Sequence, residues 1–270
     1  MKNALAVMIA IALVLCALFV ATSGKSQTST STANQNAQPV IVELFTSEGC
    51  SSCPPADALL MELEAKQSVQ GARVIALEEH VDYWNQQGWK DPYSSADWTL
   101  RQVQYVSRFK DKEPYTPQMI VEGESQVTGS RRSLAEQAIQ QASTTPKTEI
   151  TLAPDTSSPG ESQQFKVTIG KLVGYSDHDS AEVWLAVTES GLASSVNAGE
   201  NAGKDLHHAS VLRSLRKLGV ASQKGDSAFE SSPRVKFNSG WKRQNLQIVV
   251  FVQEKKSMRI LGATGIGLAS

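Results

Sequence analysis

Two cysteines with two residues between them, Cys50-Ser-Ser-Cys53, are the side chains in this sequence best placed to do chemistry. Thiol–disulfide exchange needs a thiolate that attacks and a second thiol that releases the mixed disulfide. A free cysteine has a pKa of about 8.5, and a helix N-terminus lowers it to about 7 or below. Pro54 and Pro55 mark such a terminus, because a first helical turn has no partners for its N–H groups anyway. Cys50 is expected as the exposed nucleophile and Cys53, one turn on, as the resolving thiol. A static staple is the weaker reading. In a loop-entropy account a ring of about four residues contributes roughly 2 kcal/mol, against more than 4 for a loop of about 100 residues. A zinc site of this type needs a second C-x-x-C or a histidine pair at suitable spacing, so no metal and no cofactor is expected. The alternative metal reading is copper held by Cys50, Cys53 and His80.

The elements that must position the pair follow from hydrophobic period and punctuation. Residues 39–45 are a compact apolar run that predicts a buried strand. The helix after the cysteines carries Leu59, Leu60 and Leu63 as a stripe, with Glu62 and Glu64 toward water and Gly71 as its end. Residues 73–77 form a second strand. An aromatic loop then runs from His80 to Tyr93, and Ser94 or Ser95 caps a helix containing Trp98, Leu100, Val103, Val106 and Phe109. Short strands at 118–122 and 125–128 precede a helix over 130–142 with Leu134, Ala138 and Ile139 inward. The order β-α-β-α-β-β-α predicts a sheet covered on both faces, with parallel strands first and a closing hairpin.

That order, with C-x-x-C between the first strand and the first helix, resembles a thioredoxin fold. More closely, VELFTSEGCSSCPPADALL, HVDYWNQQGWKDPYSS and YTPQMIVEG together resemble the secreted family known as DUF1223, from about residue 39 to the C-terminus. The resemblance implies a cis bond at Thr116-Pro117 beside the disulfide, where the Thr116 backbone would pair with an extended substrate and Pro117 would shape the groove. It also puts Glu43 where that fold often has a buried acid that relays the proton of the resolving cysteine. The competing reading of Glu43 is a strand residue facing solvent. Tyr83, Trp84 and Trp89 are expected as a surface that grips a partner chain; the bland alternative is packing within the fold. A structural histidine is the bland reading of His80.

From about residue 146 prolines and a Ser/Thr-rich run mark a boundary. Alternation at 163–173 and 181–189, an apolar strand at 246–253 and a hairpin partner at 258–263 predict a β-rich, sandwich-like domain. Residues 199–208 read as a polar loop. Residues 211–218 fit helix and strand alike, and Arg213, Arg216 and Lys217 read as a solvated face. No nucleophile elbow, phosphate loop, H-E-x-x-H or dinucleotide glycine pattern is found.

Lys2 and the apolar run 4–21, with small residues at Ala21 and Ser23, predict an export signal over 1–23 or an uncleaved membrane anchor through 4–21. Cys16 lies in that run after Leu15, a bulky residue that does not fit lipoprotein processing. Residues 24–38 are polar enough to predict a disordered tether. With 26 basic and 27 acidic residues there is no bulk attraction for nucleic acid. The expectation is therefore an exported, periplasmic or secreted α/β protein: a thioredoxin-like domain over 39–145, then a β-rich domain over 146–270. It exchanges disulfides with protein substrates and a redox partner. Alternatives are a binding module with an inert disulfide and a copper-binding chaperone.

Overall fold

The computed structural model describes residues 37–110, 113–155, 161–222 and 225–268. The expected signal or anchor and nearly all of the tether lie outside them. Among the described residues no helix is long and apolar enough to cross a membrane.

The first apolar run is strand β1 (Gln38–Thr46), followed by helix α1 (Pro54–Lys66) and strand β2 (Ala72–His80), which pairs parallel to β1. Helix α2 (Ala96–Val106) starts where the Ser95 hydroxyl accepts from the Asp97 N–H. Strands β3 (Gln118–Val121) and β4 (Ser125–Thr128) form the antiparallel hairpin against β1, and helix α3 (Arg132–Ala142) follows. The order of seven elements matches the expectation. Three details differ. Helix α1 ends not at Gly71 but at Gln67, which turns left-handed with φ 48° and returns its N–H to the Leu63 carbonyl. Leu134 is exposed, because Ala135 and Ile139 carry the inward face of α3. Glu64 is half-buried, and its carboxylate accepts from the Ser210 hydroxyl at 2.6 Å.

Beyond residue 146 the structure is almost all strand, as expected. The strands are β5 (Ile150–Pro154), β6 (Ser162–Ile169), β7 (Ala181–Glu189), β8 (Leu192–Ser195), β9 (Asp205–His208), β10 (Val211–Ala221), β11 (Phe229–Ser231), β12 (Arg234–Lys236), β13 (Leu246–Glu254) and β14 (Ile260–Gly267). The ambiguous run at 211–218 is strand. Arg216 and Lys217 are exposed, as expected of a solvated face, with Arg216 donating to the Arg234 carbonyl and Lys217 paired with Glu182, while Arg213 is half-buried over the rings of Tyr93 and Trp241.

The boundary expected at 145/146 does not divide the sheet. A single eight-stranded sheet runs β14-β13-β7-β10-β2-β1-β3-β4, and all described residues belong to one compact unit. The halves join where Val211 of β10 registers with Glu78 of β2 and the Glu78 N–H reaches the Ser210 carbonyl at 2.9 Å.

Strand alternation assigns the layers. Val40, Val42 and Leu44 pack under Leu59, Leu60 and Leu63 of α1 and Ile139 of α3. Ile41, Ile75, Ala186, Val249 and Phe251 face the other way, toward Trp98 of α2. At the far end, Val183, Leu185, Ile248 and Val250 meet Phe165, Val167 and Ile169 of a smaller sheet built from β5, β6, β11 and β12. The strands are apolar on both faces because both faces are covered.

Candidate functional site

β1 delivers the chain to Thr46, and a tight turn follows in which Cys50 N–H bonds the Ser47 carbonyl and Cys53 N–H the Cys50 carbonyl. Cys53 caps α1, with prolines in its first turn, and the cysteines form a disulfide with Cα atoms 5.5 Å apart. The pair thus sits at a helix N-terminus, where partial positive charge favours a thiolate.

The sulfurs are not exposed as expected: Cys50 is 1% and Cys53 0% accessible, while Ser51 and Ser52 between them face solvent. The C-terminal half clasps the turn that bears Cys50. In the connection between β8 and β9, the buried Asn201 amide donates to the carbonyls of Glu48 and Cys50 at 2.8 and 2.9 Å, and Glu200 accepts from Ser51 N–H at 3.0 Å.

The Thr116-Pro117 bond is cis. The Thr116 carbonyl oxygen lies 3.9 Å from Cys50 Sγ, and its hydroxyl accepts from Trp84 Nε1 at 2.8 Å. Gly129 lets Pro117 sit this close to α1, since a Cβ there would lie 2.9 Å from Ala56 and 3.3 Å from Pro117. The aromatics are anchored within the fold. Trp84 and Trp89 are half-buried, Trp89 Nε1 donates to Glu48 at 2.8 Å, and Trp89 packs against Gly199. Tyr83 is partly exposed and its hydroxyl donates to Gln102.

Glu43 is buried, but not below the cysteines. It projects to the α2 face, where Arg101 Nε donates to it at 2.6 Å and the Tyr105 hydroxyl bonds its other oxygen. Glu79 shares that pocket; burial first and the neighbouring Glu43 second push its pKa well above the carboxylate range. The acid on the cysteine side is Asp57, one turn after Cys53. It accepts from Thr46 at 2.6 Å, and burial and then Glu78 raise its pKa to about 7.

Among the described residues His80 groups with Glu78 and His208 as possible metal ligands, and the two cysteines are joined in the disulfide. His80 is buried with Glu78, Asp91 and His208. Burial opposes its charge, but Asp91 and Glu78 outweigh burial and hold its pKa well above the ordinary value. Burial likewise opposes charge on His208, and bonds to Glu48 and Glu78 raise it to about 9. Asp91 also accepts from Glu48 N–H at 2.8 Å, which ties this cluster to the turn bearing Cys50. Glu48, Asp57, Glu78 and Asp91 were not singled out by sequence. The one local signal was Glu78-Glu79-His80 continuing an apolar strand.

Two solved structures share the fold. A protein from Agrobacterium tumefaciens matches over 86% of this chain and 95% of its own, at 24% identity and a TM-score of 0.62. HBP35 of Porphyromonas gingivalis matches over 86% of this chain and 76% of its own, at 15% identity and a TM-score of 0.60. No curated protein matches the sequence. The model of the family described as protein of unknown function (DUF1223) matches residues 41–253, well over half of the chain, and the chain therefore belongs to the DUF1223 family.

Proposed function

We propose that this protein is an exported thiol–disulfide exchange protein that acts on protein partners through Cys50 and Cys53. The observation that carries the reading is the disulfide at the start of α1 facing the carbonyl that precedes cis-Pro117. We read β1 to α3 as a thioredoxin-like unit extended by the strands of the second half. The charged N-terminal start and the apolar run at 4–21 support export.

In the reducing direction the Cys50 thiolate attacks a partner disulfide, forming a mixed disulfide and releasing one partner thiolate. Cys53 then attacks Cys50 Sγ and releases the second partner thiolate. The pair loses two electrons and the partner gains them; the oxidising direction reverses each step. Asp57 is the buried acid placed to take the proton of Cys53 as it becomes nucleophilic. The Thr116 carbonyl accepts from an extended partner backbone. Because the sulfurs are buried, exchange requires the turn at Cys50 to open, against the hydrogen bonds by which Asn201 holds it.

Sulfur burial favours a second reading, a binding module with an inert disulfide. A redox titration with thiol trapping separates the two. A potential well below about −300 mV marks a structural disulfide, and a higher one an exchanging pair. In the exchange reading, Cys53→Ser traps partners as mixed disulfides on Cys50; failure to trap any removes it.

A further inference from the structure

We infer that Glu78, His80 and His208 form a buried binding site for one divalent transition-metal ion, zinc by the chemistry of the donors. Glu78 and His80 alternate onto one side of β2, and β9 brings His208 to them. One ligand atom from each lies within 4.8 Å of the others. His80 Nε2 is 3.6 Å and His208 Nδ1 is 2.9 Å from Glu78 Oε1. Three ligands at about 2.0–2.1 Å from a tetrahedral ion stand roughly 3.3 Å apart, between those two separations.

The surroundings are those of a ligand set. A metal-bound histidine almost always places its other ring nitrogen on a carboxylate or a carbonyl. Both histidines do so: His80 Nδ1 is 2.7 Å from Asp91 Oδ2, and His208 Nε2 is 3.2 Å from Glu48 Oε1. Glu78 is oriented too, its second oxygen accepting from Ala209 N–H at 3.1 Å. The independent observation is His80 Nε2. It is buried and aimed at Glu78 and His208, yet it makes no hydrogen bond, Glu78 Oε1 standing off at 3.6 Å. A buried ring nitrogen that makes no hydrogen bond is costly, and a bound ion drawn in between it and the carboxylate removes that cost. Two imidazoles and a carboxylate suit zinc and leave a fourth position.

This inference is independent of disulfide exchange, and its test reads metal alone. The purified full-length protein is stripped with a chelator, titrated with zinc chloride by calorimetry and assayed for bound metal. One zinc per chain is expected. His80→Gln and His208→Gln should each weaken binding at least about 100-fold, and Asp91→Asn about 10–100-fold. His207→Gln, one residue away and exposed, should leave it unchanged. The Cys50→Ser/Cys53→Ser protein should bind as tightly as wild type. Absence of micromolar binding, binding that survives both histidine substitutions, or binding lost with the cysteines overturns the proposal. X-ray absorption of the zinc-loaded wild type decides even where a histidine variant fails to fold. A shell of nitrogen and oxygen only is expected, and a sulfur at about 2.3 Å refutes the assignment.

Discussion

Arg101 is the side chain whose loss should cost this fold most for its size. Its guanidinium is almost fully buried on the α2 face of the sheet, bonded to Glu43 at 2.6 Å, Tyr105 Oη at 3.0 Å and Gln253 Oε1 at 3.1 Å, with Glu79 at 3.5 Å. It also lies 5.0 Å from the Tyr105 ring centre and 5.7 Å from that of Phe251. Burial and the neighbouring Glu43 push the Glu79 pKa well above the carboxylate range, and Glu43 is the carboxylate that Arg101 contacts most closely. Arg101→Met keeps most of the side-chain volume and leaves a buried carboxylate without its cation. Removing one partner of a buried pair costs about 3–5 kcal/mol. With a urea slope of about 2–3 kcal/mol/M, the midpoint should fall by roughly 1–2 M. Adding Glu43→Gln removes the stranded charge, and the double variant should recover at least half of the loss, since neutral replacements of buried pairs are often near neutral. The assay is equilibrium urea unfolding of the four proteins of the cycle. A cost below about 1 kcal/mol for Arg101→Met, or a double variant no more stable than the single, would show that the arginine is a packing group and that its charge is not what matters here.

Other outcomes follow from the same geometry. Glu122 is buried against Lys147, and burial raises its pKa to about 7 from an ordinary 4.5. The folded state therefore holds a proton that the unfolded state has lost between those values, and stability falls as pH rises through that window, by on the order of 3 kcal/mol. Glu122→Gln should match wild type near pH 5 and exceed it near pH 8 in thermal unfolding. Asn201→Ala removes two hydrogen bonds that seal the Cys50 turn, and reduction of the disulfide by a small dithiol, followed by thiol trapping, should speed up roughly 10–30-fold. Gly123→Ala should be severe, because φ there is +70° and a Cβ would lie 2.0 Å from the Met258 carbonyl oxygen. A loss of several kcal/mol in chemical denaturation is expected. Cys50→Ser/Cys53→Ser should lose only about 2 kcal/mol, the figure for so short a ring, measured the same way.

The first seven elements were legible because each carries its own local signal. Strand β1 is an apolar run, Ser95 is a cap, and Pro54 and Pro55 open a helix. What escaped depends on distant residues. The run at 211–218 satisfies two templates, and pairing with β7 decides for strand. β9 hides in a polar stretch because only Leu206 and His208 turn inward. Alternation correctly separated Glu43 from Val42 and Leu44, yet nothing near Glu43 announces Arg101, 58 positions away. The Glu78–His208 contact spans 130 positions and has no local signature. The clasp on the Cys50 turn was hidden for the same reason: Asn201 and Cys50 meet across 151 positions.

The joint between β10 and β2 also bears on the order of events during synthesis. Until residue 211 has emerged, β2 is the outermost strand of the half-built sheet, and its free N–H and C=O groups can recruit any passing strand. The edge that waits ends in Glu78-Glu79-His80, beside the acidic carboxylates of Glu48 and Asp91. Charge on an unpaired edge resists strand addition by a neighbouring copy. Thus residues that end up buried once β10 has docked would first serve as a guard on a nascent chain, protecting the N-terminal half from aggregation until its own C-terminal half arrives to take the place.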